Sequence, residues 1–218
     1  MSHPDTKILI LLCFVGLTSF LVTSIGLASD SWLIYQLGKN DTPGDGNATT
    51  ARVERVGVWR VCYRPGTLVQ EDGKGCLNID YLTKVDSATN PLFHYLFPSL
   101  QNDLLLVFLI LVMAGVFIIF IAEAMAMICL KKKVKRLYLA TAIMFILAGA
   151  VLTAGLIVFT VRSDQLLSEW TVDELGLSPY DLLYFGWSFA ITWAGAALAV
   201  VNGCGYIWLV RLQHDTMM

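Results

Sequence analysis

The chain has 218 residues, of which 56% are hydrophobic and 15% charged, with a formal net charge of −2. Soluble globular domains carry roughly 25% charged residues, so this composition argues against one. A net charge this small also argues against nucleic acid as a partner.

Residues 8–28 form the first apolar run, 21 residues long. A helix needs roughly 20 residues to cross a hydrocarbon core of about 30 Å. The run is longer than the apolar part of a secretory leader, and only Lys7 precedes it as a charged lead. It therefore reads as a retained span, despite Gly26-Leu27-Ala28 at its end, a passable cleavage site.

Residues 29–103 form a long polar loop with two textures. The stretch 39–50 is rich in Gly, Asp, Asn and Thr and reads as a solvated excursion. It holds two glycosylation sequons, at Asn40 and Asn47. Pro43, directly after the first, makes Asn40 the weaker acceptor. From Ala51 the residues become a mixture of β-branched and charged types. Residues 52–62 read as a strand with one solvated face, and 31–37 and 76–82 as two more. Strands this short need partners, which predicts a small antiparallel sheet. Cys62 and Cys76 are the two cysteines of this loop, with thirteen residues between them. In an oxidising compartment they form a disulfide. Chain entropy puts its stabilisation at roughly 3 kcal/mol.

The second run, 104–130, contains Glu123, the one charged side chain in the cores of the four runs. Acids within a membrane are costly and often functional. Glu123 stands about 10 Å of helical rise from the end of its run. Three roles compete for it: pairing with a polar group such as Asn202 or with the nearby Lys131, Lys132 or Lys133, contact with a partner protein's helix, and an ion path. With no second ionisable residue beside it, the ion path is the weakest of these. Cys129 neighbours the basic cluster Lys131, Lys132, Lys133, Lys135 and Arg136, and is a candidate for palmitoylation. Cys13 and Cys204 read as small apolar residues within helices.

The third run covers 137–161, and a second loop, 162–184, follows it. The fourth run, 185–210, places Gly195, Ala199 and Gly203 at intervals of four. Small residues so spaced allow close helix approach, either inside the bundle or against another membrane protein. Trp32, Tyr184, Trp187 and Trp208 lie near span ends and suit an interfacial belt. Trp32 and Trp59 also read as anchors of the sheet. Basic residues concentrate in 131–136 and at Arg211, whereas 162–181 has one base and five acids. Both termini are accordingly expected in the cytoplasm, with the sequon-bearing loop outside and a short tail at 211–218.

The expected fold is an all-α transmembrane four-helix bundle with a small extracellular antiparallel β-sheet, in a single domain of residues 1–218. Asp30-Ser31-Trp32, then Gly57-Val58-Trp59-Arg60-Val61-Cys62 and Cys76, resembles the W…G-L-W-x-x-C…C signature of the claudin and peripheral myelin protein superfamily. The likeness spans nearly the whole chain and implies the same four-helical fold with an extracellular sheet. The sequon-bearing insert, Arg60 straight after Trp59, and Tyr184-Phe185-Gly186-Trp187-Ser188-Phe189 resemble voltage-gated calcium channel γ subunits, including the γ-related regulators of AMPA receptors. Claudin-domain-containing proteins are similar next. Claudins usually have an arginine where this chain has Gln101-Asn102-Asp103, and the receptor regulators have a longer tail.

His3, His94 and His214 lie on different segments without metal spacing, and no glycine-rich loop or nucleophile elbow occurs. No enzyme activity and no cofactor are expected. The expected role is an auxiliary subunit in the plasma membrane that binds a channel or receptor laterally and modulates its gating or trafficking. The alternative is claudin-type cell–cell adhesion or a paracellular barrier, with a claudin-like protein of the neighbouring cell as partner.

Overall fold

The structure, a computed structural model, describes residues 3–36, 53–63, 76–78, 103–132, 134–169 and 182–215. Asn40 and Asn47 lie outside the described residues. Four long helices follow the four apolar runs: α1 (His3–Ala28), α2 (Asp103–Lys132), α3 (Lys135–Glu169) and α4 (Trp187–Asp215). Within them Thr6–Ala28, Leu106–Lys132, Lys135–Val161 and Trp187–Leu212 are long and apolar enough to cross a membrane. A helix is the natural state for such runs, because hydrocarbon offers backbone groups no other partner. The third helix continues eight residues past the expected end at Val161. Apolarity sets the width of a span, but helix propagation needs only the absence of breakers. Arg162–Glu169 contains neither Gly nor Pro.

The chain divides into two compact units. One comprises residues 1–25, 108–157 and 191–218, the body of the bundle. Its inner faces follow intervals of three and four: Val112, Gly115, Ile119, Ala122, Ala126 and Cys129 on α2 are all buried. Glycines bring the helices close. A Cβ at Gly115 would meet the Leu152 side chain at 2.6 Å, and one at Gly155 would meet Val112 at 2.8 Å, so α2 and α3 are seated reciprocally. On α1, Ser19 donates a hydrogen bond to the Gly195 carbonyl of α4 at 2.8 Å. Between α2 and α3 the Val134 carbonyl accepts from Leu137 N–H at 3.0 Å, closing the short turn.

The second unit comprises residues 26–107 and 158–190. It holds a five-stranded antiparallel sheet of β1 (Leu33–Gln36), β2 (Val53–Val56), β3 (Arg60–Tyr63), β4 (Cys76–Asn78) and β5 (Leu182–Phe185). The strand order is β4-β3-β2-β1-β5. Two details differ from expectation. Where one strand was expected over 52–62, residues 53–62 are a hairpin: Gly57 N–H donates to the Arg60 carbonyl at 2.8 Å and turns the chain between β2 and β3. The second loop also contributes β5, which pairs with β1 from Leu33↔Phe185 to Gln36↔Leu182. The run Leu182-Leu183-Tyr184-Phe185 merges in sequence with the fourth apolar run. Gly186 separates the two, its N–H donating to the Trp32 carbonyl at 2.7 Å.

Candidate functional site

The signature residues gather in the sheet-bearing unit, around the last turn of α1. A helix ends with carbonyls that have no partner within it. Two indoles supply them. Trp32 Nε1 donates to the Gly26 carbonyl at 2.8 Å, and Trp59 Nε1 donates to the Leu27 carbonyl at 2.9 Å. Trp32 is completely buried, its ring edge-on to Phe159 at 5.1 Å and to Phe189 at 5.9 Å. It is thus a core residue rather than part of an interfacial belt, whereas Tyr184, Trp187 and Trp208 are exposed as a belt requires.

Arg60 reinforces the same joint. Its guanidinium meets the Asp30 carboxylate with both oxygens, Nε to Oδ1 at 3.1 Å and a terminal nitrogen to Oδ2 at 2.7 Å. Such two-point pairing fixes orientation as well as distance. A Cβ at Gly57 would stand 2.6 Å from the Asp30 Cα, so the hairpin backbone rests directly on the chain leaving α1. Cys62 and Cys76 face each other across β3 and β4 and are disulfide-bonded.

A sequence-family model described as PMP-22/EMP/MP20/claudin tight junction matches residues 17–207. The chain belongs to this family. Its claudin signature is therefore a joint: two tryptophans, an arginine and a glycine dock the β2–β3 hairpin onto the end of the first helix. The neighbouring disulfide ties β4 to that hairpin. Ser188, part of the motif at 184–189, donates to the Ser29 hydroxyl at 2.8 Å, a contact that its spacing did not signal.

The small residues, the acid and the cysteine singled out within the spans of this claudin-family chain lie in the bundle unit. Gly195, Ala199 and Gly203 point inward. Gly195 abuts Thr23, Ala199 is fully buried, and a Cβ at Gly203 would stand 2.9 Å from the Ala142 carbonyl oxygen. They pack α4 against α1 and α3 and offer no surface to a partner. Glu123 also turns inward, its Oε2 buried. Cys129 is fully buried with its sulfur 3.4 Å from Thr141 Oγ1, so its thiol faces a neighbouring helix. The lysines beside it suggested the membrane surface, but helical phase turns the cysteine inside. Among the described residues no three His, Cys, Asp or Glu side chains gather as a metal site.

Proposed function

We propose that this protein is a non-enzymatic tetraspan accessory subunit of the plasma membrane. It binds a larger channel or receptor side-on and alters its gating or trafficking. The observation that carries this reading is the outer face of α3. Ile143, Leu147, Ala150, Ala154, Ile157 and Val161 are all exposed and recur at intervals of three and four. That is the spacing of a helix-packing seam. The two alanines at its centre let another helix approach closely. The γ-subunit-like features of the sequence support the same reading.

In the proposed topology both termini and the basic 131–136 turn are cytoplasmic, and the sheet faces outward. A glycan on Asn47 would hinder head-to-head packing of sheets from two cells while leaving side-on binding open. The rival reading, claudin-type adhesion or a paracellular barrier, draws on the family description.

Lipid also satisfies an apolar face, so the test must separate lipid from partner. Affinity purification in mild detergent should recover channel or receptor subunits with the wild-type protein. Ala150→Trp and Ala154→Trp should lose them at unchanged surface expression. Strand formation and raised transepithelial resistance, in epithelial cells lacking their own claudins, would instead establish the rival.

A further inference from the structure

Among the described residues of the bundle unit is a polar cluster that the helix packing does not use. Asn202 of α4 is completely buried, and neither Oδ1 nor Nδ2 of its carboxamide has a hydrogen-bond partner. Glu123 of α2 presents a buried Oε2 in the same condition. The two side chains converge on Gly16 of α1. A Cβ built there would collide with Glu123 Oε2 and stand 2.8 Å from both Asn202 Nδ2 and Phe145 Cζ. The glycine is what admits both polar groups to one place.

Unpaired polar atoms inside a membrane cost several kcal/mol each. Glu123 and Asn202 approach the same point without bonding to each other, an arrangement that calls for a third group between them. Tyr206 and Cys13 do not fill that role, since they contact one another at 3.6 Å. The third group must donate to a carboxyl oxygen and accept from an amide N–H. An anion meets the Glu123 carboxyl and is rejected. A hard cation needs about six oxygen ligands, and two side chains sharing an N–H do not provide them. Water donates and accepts at once and is held by two to four polar partners.

We infer that one buried water molecule lies beside Gly16, accepting from Asn202 Nδ2 and donating to Glu123 Oε2. It joins α2 to α4 within the bundle and serves either placement of the amide, since an amide always offers both a donor and an acceptor.

Nuclear magnetic resonance on the full chain in lipid nanodiscs tests this. With 15N-asparagine labelling, Asn202 is the one asparagine within a span. Its side-chain resonance is assigned by its loss in Asn202→Leu, or through its own Cβ if that variant does not fold. The expected result is a cross-peak between the Asn202 amide protons and water that survives a water-soluble gadolinium chelate. Gly16→Ala should abolish the cross-peak, because the new methyl group displaces the bridged pair. No cross-peak in the wild-type protein would overturn the inference, as would a direct coupling between the amide and the Glu123 carboxyl. Should Gly16→Ala not fold, the wild-type spectrum decides alone.

Discussion

Trp32 and Trp59 share a motif but not an environment. Both cap carbonyls at the end of α1, yet Trp32 is completely buried and Trp59 is 37% exposed. Truncating a buried aromatic costs about 3–5 kcal/mol through lost transfer energy and the cavity left behind. Trp32→Ala should therefore lower the thermal midpoint of the detergent-solubilised protein far more than Trp59→Ala. Equal shifts would mean that the shared capping bonds, rather than burial, dominate. Cys62→Ser should cost roughly 3 kcal/mol by loop entropy. Its effect is read as a lower midpoint and retention in the secretory pathway. The tryptophans, the glycine and the cysteines were legible as a motif. The common task of the two tryptophans at a helix end was not, because Gly26 and Leu27 are joined to them by folding rather than by spacing.

Among the helices, spacing alone could not place the small-residue face. Gly195, Ala199 and Gly203 repeat as a docking stripe would, and only packing shows that α1 and α3 already occupy it. Gly203→Leu should consequently destabilise the fold, by about 1–3 kcal/mol for an overpacked core. Ala150→Leu on the exposed side of α3 should stay within about 0.5 kcal/mol. Thermal melts of both variants in one detergent check the contrast. A stable Gly203→Leu protein would return that face to the partner. In the sheet, β5 escaped notice because four residues between a polar loop and an apolar helix carry no periodicity of their own. The strand exists because β1 offers a free edge, and pairing needs that partner in place.

At the scale of the whole molecule, topology and modification each have a direct measurement. A tag on the C-terminus should be reachable by antibody only after permeabilisation, and one inserted at 44–46 should be reachable on intact cells. The reverse result would invert the proposed orientation. Removing N-glycans enzymatically should increase gel mobility, and Asn47→Gln should abolish most of that shift. An unmodified wild-type protein would remove the objection to head-to-head packing. An accessory subunit should conduct nothing alone, since a regulator acts by binding two states of its partner unequally.

The sequence by itself determined the four spans, the presence of a sheet, the disulfide and the family. Each of these rests on local composition, on period or on residue types at short spacing, which survive in a one-dimensional reading. The tertiary structure decided which face of each helix points inward, the fifth strand, the hairpin within residues 52–62 and the convergence of Glu123, Asn202 and Gly16. In a membrane span nearly every position is apolar, so the usual polar stripe that reveals a helix's inner face is missing. Inside and outside are then set by shape, glycine against bulky side chain, and shape complementarity between distant segments appears only once the helices are packed.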